Sequence, residues 1–214
     1  MALPFIELGN LRLGGKLNAT NDAIAGGSAA GGTGAALYAG LVGKRIWLDN
    51  QQALALSDTT IGTLYAGIYQ YVLFSSASTA TNARGQIAFW LLGASQANSV
   101  KTDDGQYIVT PDGSATIGDG LWSGITLNTV TKGNYGWVQL AGLASIKFRA
   151  AVTSAVAGNL AVVTTTSNLA DGIADATAIT AGGAAGAKNI LGVCLEAPAN
   201  STISKVYLRN PIFF

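Results

Sequence analysis

Side chains suited to acid–base or nucleophilic chemistry are scarce in this chain. It contains no histidine, a single cysteine and eleven acidic residues, of which only Glu7 and Glu196 are glutamates. Without histidine, Ser-His-Asp and Cys-His arrangements cannot form, and neither can a histidine-containing metal site. Paired carboxylates of the glycosidase kind stay open, although several aspartates stand in turn dipeptides. We therefore predict that the protein is not an enzyme and that it uses no cofactor and no metal ion.

Cys194 is the single thiol, and its sequence context favours a structural role. It lies between Val193 and Leu195 in an apolar run. An activated thiolate needs a neighbouring base, and the chain has no histidine to provide one. We expect a small buried hydrophobic side chain, and with no second cysteine an intramolecular disulfide cannot form.

Two segments could be taken for ligand-binding loops: the acidic residues after position 102 for a calcium loop, and the glycine-rich tract 26–34 for a phosphate loop. The spacing of an EF-hand calcium loop is missing around Asp103, so a calcium site would depend on folding that brings separate acids together. The tract 26–34 lacks the Gly-Lys-Ser/Thr ending of a phosphate loop. Turn formation is the favoured interpretation of the acids, because Asp tolerates and Gly favours the positive φ of a tight hairpin turn. The predicted turns are Asp104-Gly105, Asp112-Gly113 and Asp119-Gly120.

A low and balanced charge argues against two classes of partner. The formal net charge is +1, charged residues make up 11% of the chain, and basic residues are scattered singly apart from Lys44-Arg45. A nucleic-acid-binding surface needs a patch of Lys and Arg, so no nucleic acid partner is predicted. The uncharged stretches 59–83 and 150–170 are interrupted by polar residues and glycine, so no membrane partner is predicted. The N-terminus lacks the pattern of a secretory signal.

Short runs rich in Val, Ile, Thr and aromatic residues recur along the chain and predict β-strands. In Lys147–Arg149 and Lys205–Arg209 the apolar and charged side chains alternate, as in a strand with one face in a core. Asp171-Gly172 is interpreted as the close of one run. The predicted fold class is all-β, a β-sandwich or a jelly-roll or barrel-like fold. The runs are Ile46–Leu48, Thr63–Phe74, Gln86–Leu92, Tyr135–Gly142, Ile146–Arg149, Leu160–Thr166, Ile190–Leu195 and Lys205–Arg209.

Composition divides the chain into three predicted regions. Residues 1–35 form a Gly-rich extended N-terminal arm, because the eight glycines between 9 and 34 leave too little apolar surface to offset the entropy of ordering. Residues 36–125 form a β-rich middle region, and residues 126–214 form a C-terminal barrel or sandwich. The apolar C-terminal end, 211–214, is predicted to pack into the body or a neighbour. The tip of the arm either becomes ordered against a neighbouring subunit or remains a flexible tail. The predicted contact residues are Pro4, Phe5, Ile6, Leu8, Phe213 and Phe214.

Four aromatic residues in the middle region permit two interpretations. Tyr65, Tyr69, Tyr71 and Trp90 could form a platform on which sugars stack. Aromatic side chains in strands more often serve as core or interface anchors, and we favour that role.

The order of the C-terminal runs resembles that of a known family. The motifs are Gly136–Gly142, Ala150-Ala151-Val152 leading to Gly158, Asp171-Gly172, Leu191–Leu195 and Val206-Tyr207-Leu208. In this order, over about the last 80 residues, they are similar to the capsid decoration, or cement, proteins of tailed bacteriophages. The resemblance implies a structural virion protein on the capsid surface, assembled in the host cytoplasm. Its implied partners are the major capsid protein and itself, as a homotrimer.

Two other protein classes compete with the cement interpretation. A tail or head-fibre protein would recognise a host surface glycan through aromatic residues such as Tyr107, Trp122 or Trp137. A trimeric fibre is expected to show sequence repeats, and none is found. A secreted or cell-surface β protein is disfavoured because the N-terminus lacks a signal sequence.

Overall fold

The structure is a computed structural model, and it describes residues 6–8, 11–13, 43–57, 59, 61–75, 82–90, 107–111, 122–130, 133–148, 156–163, 170–173 and 190–209. Within these ranges the chain forms twelve strands and one short helix, which confirms the predicted all-β class. The helix is α1 (Asn50–Leu56). The strands are β1 (Ile6–Leu8), β2 (Leu11–Leu13), β3 (Arg45–Leu48), β4 (Gly67–Phe74), β5 (Ile87–Trp90), β6 (Ile108–Thr110), β7 (Trp122–Thr126), β8 (Tyr135–Lys147), β9 (Leu160–Val163), β10 (Ala170–Ile173), β11 (Ile190–Cys194) and β12 (Ile203–Leu208).

Five strands close a small barrel. Around the ring, β4 pairs with β8, β8 with β7, β7 with β5 and β5 with β6, all antiparallel, and β6 returns to β4 in parallel. Glycine at position 124 lets β7 and β8 approach closely, because an added Cβ would lie 2.8 Å from the Cβ of Val138. Alternate side chains of these strands fill it as a packed core. That core comprises Val72, Phe74, Ala88, Val109, Val130, Val138 and Leu140.

The long strand β8 joins the barrel to the rest of the sheet. Gly142 has φ +92° and stands in register with Gly67 of β4 and with Leu208 of β12. An added Cβ there would collide with the carbonyl oxygen of Ala66, so glycine lets the strand turn from one partner to the next. The sequence-based expectation of two strands, one ending at Gly142 and another from Ile146 to Arg149, is therefore corrected: one strand runs through residues 135–147.

Beyond the barrel, the sheet continues through the strands that follow residue 141. We call residues 142–147 of β8 together with β12, β11, β9 and β10 the C-terminal sheet; its pairings are antiparallel. Its inner face packs on β5 and β7, where Ile87, Phe89 and Ile125 meet Val206 and Leu208. In β12 buried and exposed residues alternate, which confirms the half-buried strand predicted at 205–209. Asp171-Gly172 does not close a strand, because both residues pair with β9 inside β10.

The opposite side of the barrel is covered by β3 and α1. Ile46 and Leu48 of β3 pack with Leu56 of α1 over Tyr69 and Trp137. The helix starts with a capping box: Asp49 accepts the Gln52 backbone N–H at 2.8 Å, and the Gln52 side chain accepts the Asp49 N–H at 3.1 Å. With seven residues, α1 is short, and no helix in the described ranges is long and apolar enough to cross a bilayer.

The strand pairings can be compared with the three regions predicted from composition. Strands on both sides of residue 125 share the barrel, because Thr126 of β7 pairs with Val138 of β8, while β4 to β6 complete the ring. Within the predicted arm, β1 and β2 form an antiparallel pair. The division at 35 and 125 stays a prediction. The Asp-Gly pairs of residues 104–120 and the tract 26–34 lie outside the described residues.

Candidate interaction surface

The residues predicted to make contacts at the chain ends are largely beyond the described part. Ile6 and Leu8 lie in β1, in register with Leu13 and Leu11 of β2, and only the backbone of this pair is described. Their role in contacts stays a prediction. The other four predicted contact residues lie outside the described ranges: Pro4, Phe5, Phe213 and Phe214.

The outer face of the C-terminal sheet is exposed and unusually apolar. On β12, Tyr207 is 59% exposed and Ile203 is 41% exposed, whereas Val206 between them in sequence is fully buried. On β11, Val193 is 38% exposed beside the buried Cys194. Leu195 follows at 50% exposure and donates its backbone N–H to the carbonyl of Lys205 at 2.9 Å. Single exposed apolar residues are ordinary, but neighbours on one face form a patch.

A continuous line of four apolar residues crosses four strands of this face, and we call it the apolar row. Two of them, Leu143 and Leu160, are half-buried. Leu143 of β8 is in register with Tyr207, Tyr207 with Val193 of β11, and Val193 with Leu160 of β9. Residues directly opposite in an antiparallel pair share a face, with Cβ atoms about 5 Å apart. The row therefore spans three strand spacings of about 4.8 Å, roughly 14 Å of apolar surface.

Charged side chains flank the apolar row on β12 and β8. Lys205 and Arg209 are exposed at alternate positions on either side of Tyr207, and the half-buried Lys147 is in register with Ile203. The Glu196 carboxylate accepts the backbone N–H of Lys205 at 2.8 Å, which ties the loop after β11 to β12. Because Lys205, Tyr207 and Arg209 have the same strand parity, cation and aromatic project from one face.

Two glycines permit the backbone geometry of the strands that carry the apolar row. At Gly192 a Cβ would collide with the carbonyl oxygen of Tyr207, so glycine permits the close approach of β11 and β12. Gly158 has φ +90° in the turn before β9. In that turn the Asn159 side chain accepts the Val156 N–H at 2.7 Å. Its backbone carbonyl accepts the N–H of Cys194 at 2.8 Å, which sets the register of β9 against β11.

A second exposed patch lies on the other side of the barrel. Trp47 of β3 and Leu54 of α1 are each 66% exposed. Trp47 shares the outward parity of β3 with the exposed Arg45, and it is in register with Ile68 of β4. This register partner is half-buried and packs partly against the barrel core.

Glycan recognition requires exposed aromatic side chains, and the three proposed from the sequence are buried or half-buried. Trp122 is 5% exposed and Trp137 is 2% exposed, so both belong to the core, and the expectation that they are free to stack on a sugar is wrong. Tyr107 is half-buried and packs edge-on against Trp90, with ring centroids 6.3 Å apart. Surface aromatics in the described ranges are instead Trp47 and Tyr207.

The middle tyrosines serve as core anchors, as favoured from the sequence. Tyr69 and Tyr71 are fully buried, and the Tyr71 ring lies 5.1 Å from that of Trp137. The Tyr69 hydroxyl donates to the Tyr65 carbonyl at 2.6 Å, and desolvation raises its pKa above the ordinary value. Two of the four candidate residues for a sugar platform are thus inaccessible.

The surroundings of Cys194 do not activate its thiol as a nucleophile. It is 1% exposed in the core under the C-terminal sheet, and desolvation raises the pKa of its thiol to about 11. A thiol with so high a pKa is protonated at neutral pH and is a poor nucleophile. The predicted role as a buried hydrophobic residue is confirmed. In the described part of the chain, no three Cys, Asp or Glu side chains gather closely enough to hold a metal ion.

A small cleft beside β7 contains Arg84. Its guanidinium lies over Gly62, where an added Cβ would collide with it, and its Nε is buried without a hydrogen-bond partner in the described structure. Thr63 and Gln139 also line the cleft, and the Gln139 side-chain amide donates to the Leu143 carbonyl at 2.8 Å. Its described lining residues are Ile61, Thr63, Leu64, Arg84, Ile125, Thr126, Leu127, Gln139 and Ser145.

Sequence analysis missed the exposed residues of the C-terminal sheet, although a signal was present. The alternation in Lys205–Arg209 was recognised, but Tyr207 stands at the charged parity of that strand. Trp47 stands at the same parity as Arg45 in β3. An aromatic residue placed where alternation calls for a polar one indicates a surface aromatic, and it could have identified both patches.

Comparisons with known proteins give a structural likeness but no family. No family model matches the chain, and no curated protein matches it. The structure is similar to the N base of head fiber gp8.5 in bacteriophage phi29 at 10% sequence identity and a TM-score of 0.39. The match covers 68% of this chain and 98% of that chain. A likeness at this TM-score establishes no shared function, and the proposal below rests on the residues of this chain.

Proposed function

We propose that this protein is a structural component of a bacteriophage virion that binds the outer surface of the capsid and stabilises the shell. The observation that carries the proposal is the apolar row: a sheet whose inner face is fully packed leaves Tyr207 and Val193 exposed on its outer face. Exposed apolar patches of this kind mark interaction surfaces. The protein's role is then adhesion, with the major capsid protein as partner.

The sequence resemblance supports the same proposal. Three of the motifs that resemble cement proteins, Gly136–Gly142, Leu191–Leu195 and Val206–Leu208, coincide with β8, β11 and β12. These three strands contribute Leu143, Val193 and Tyr207 to the apolar row. Two of the four residues of the apolar row, Val193 and Tyr207, therefore belong to motifs that carry the resemblance.

Binding stabilises a shell by mass action. A ligand that binds only the expanded, assembled lattice lowers its free energy by RT ln(1 + [L]/Kd), about 2.7 kcal/mol per site at a concentration of 100 Kd. A homotrimer that matches a symmetry axis of the lattice would add avidity without a new contact. Copies on the surface of an expanded shell would in this way resist disassembly.

The direct test is co-sedimentation of the purified protein with undecorated expanded capsids of its parent phage, with unexpanded proheads as the control. We expect saturable binding to expanded shells only, at a stoichiometry that fits a symmetry axis. Expanded shells that carry the protein should also disassemble at a higher temperature than bare ones. Absence of binding to either shell would contradict the proposal.

One observation favours a second candidate, a phage tail or head-fibre protein that recognises a host surface glycan. Trp47 is 66% exposed, with Arg45 on the same strand face. An exposed tryptophan beside a polar side chain is suited to stacking on a sugar ring. A glycan array separates the candidates: a specific glycan bound by the wild type and lost in Trp47→Ala, without binding to shells, would favour the fibre.

A further inference from the structure

The outer face of the C-terminal sheet is asymmetric in charge, and this asymmetry restricts the partner. Among the described side chains of β8 and β12 and the loop after β11, the cations of this face are Lys147, Lys205 and Arg209, and the carboxylate is that of Glu196. Asp171 of β10 is in register with Val162 of β9, at the far edge of the sheet. The Glu196 carboxylate is already engaged by the Lys205 backbone N–H. The face therefore combines an apolar centre with a basic rim, although the chain as a whole has a net charge of only +1.

We infer that the apolar row and its basic rim bind a protein surface that is apolar at its centre and acidic at its edge. Apolar partner side chains would cover Tyr207 and Val193, and partner carboxylates would pair with Lys205 and Arg209. This deepens the proposed function, on which it rests for the identity of the partner, the major capsid protein. Complementary charge raises the rate of encounter and fixes orientation, while the apolar centre provides most of the affinity.

A second copy of this chain is a poor occupant of the same face. A two-fold contact would bring the face against itself, with Lys205 and Arg209 opposite like charges. The size of the face agrees with this assignment: the six residues of β12, from Ile203 to Leu208, extend about 20 Å, so with the row's width the patch covers roughly 300 Å². A standard interface takes about 800 Å² per partner, so this patch is the centre of a larger contact.

The surface chemistry can be tested without the biological partner. The probe is a mixed-mode chromatography medium that carries carboxylate and phenyl groups. The variants are Tyr207→Ser and the double variant Lys205→Gln/Arg209→Gln, and the matched control is Lys44→Gln/Leu54→Ser, which removes an exposed cation and an exposed apolar residue elsewhere. We expect earlier elution of both test variants and unchanged elution of the control. Equal loss of retention by the control would overturn the inference.

The partner assignment is tested on expanded shells over a range of salt. Tyr207→Ser should weaken binding at least tenfold at every salt concentration, because it removes apolar contact. Lys205→Gln/Arg209→Gln should weaken binding about tenfold near 0.05 M salt and much less near 0.5 M, because salt screens exposed charges. Circular dichroism and thermal unfolding confirm that the variants fold. Wild-type affinity in both variants would overturn the inference while the proposed function stands.

Two further outcomes would assign the face to another occupant and overturn the inference. One is self-association of the wild type, seen by sedimentation velocity and lost in Tyr207→Ser. The other is competition by duplex DNA for the Lys205 and Arg209 contacts. Retention on the medium as predicted, with no binding to any shell, would instead reject the proposed function and leave the surface chemistry supported.

Discussion

The two faces of the C-terminal sheet differ in how their apolar residues are used. On the inner face, Val206 and Leu208 of β12 pack with Ile87 and Phe89 of the barrel. On the outer face, Tyr207 of the same strand is 59% exposed. The strand alternation that builds the fold thus also displays an apolar residue where folding does not require one. The inner face stabilises the fold, and the outer face is the one that we propose to be adhesive.

This separation means that substitutions one residue apart should have different consequences. Burial of an aliphatic side chain stabilises the fold by about 1.5–3 kcal/mol, whereas an exposed residue contributes little until a partner covers it. Substitutions on the two faces can therefore be compared by the change in the free energy of unfolding.

Leu208→Ala should destabilise the protein by about 2–5 kcal/mol, because it leaves a cavity between the C-terminal sheet and the barrel. Leu208 is 2% exposed, and it packs with Phe89 and Ile146 in the same core. The neighbouring change Tyr207→Ala should alter the free energy of unfolding by less than about 1 kcal/mol. Urea denaturation followed by tryptophan fluorescence measures both, and equal losses would refute the difference between the faces.

Gly142→Ala should cost about 2 kcal/mol or more, because φ +92° is strained for alanine and its Cβ would meet the Ala66 carbonyl oxygen. Gly158→Ala is the matched control, since φ is +90° but no atom lies within 4 Å of the added Cβ. We expect the control to lose about 1 kcal/mol, the conformational cost alone. If the two variants unfold at the same urea concentration, the tight junction at Gly142 does not matter to the fold.

Asp49→Ala should destabilise the protein by about 1 kcal/mol, because the capping box of α1 loses the acceptor of the Gln52 N–H. This helix covers the side of the barrel opposite the C-terminal sheet. Asp49→Asn keeps an acceptor and should retain most of the stability. Calorimetric melting of the three proteins gives the comparison, and binding to shells should be unaffected in both variants.

Alkaline pH should lower the free energy of unfolding, because the thiol of Cys194 is buried in the inner face of the C-terminal sheet. The pKa of the folded thiol is raised to about 11 from an ordinary value near 9, so the unfolded state loses its proton first as pH rises. The resulting stabilisation is complete below about pH 9 and is lost between pH 9 and 11. Cys194→Ala should therefore show a shallower fall in the free energy of unfolding over this range. Parallel pH profiles for the two proteins would contradict the assignment.

Most of the fold was accessible from sequence because its signals are local. Alternation in β12 and the apolar run of β4 predicted strands whose burial the structure confirms. The continuity of β8 through Gly142 was not accessible, since a glycine that ends a strand and one that bends it look alike in sequence. The inclusion of Asp171-Gly172 in β10 was missed for the same reason: pairing with β9 outweighs turn propensity.

The candidate surface was harder to predict than the fold. Its four members, Leu143, Leu160, Val193 and Tyr207, come from four strands and meet only through sheet register. No local pattern encodes that register across residues 143–207. The burial of Trp122 and Trp137 could not be predicted from local sequence either. Each side chain is covered by a layer that packs on the outside of the barrel.

Hydroxyl-radical footprinting of the protein, free and bound to expanded shells, would identify the face that contacts the shell. Tyr207 and Trp47 are both well exposed, at 59% and 66%, and both are reactive aromatic side chains on opposite sides of the barrel. We predict that binding protects Tyr207 from oxidation while Trp47 is modified at the same rate as in the free protein. Protection of Trp47 with Tyr207 unprotected would contradict the claim that the outer face of the C-terminal sheet is the adhesive surface.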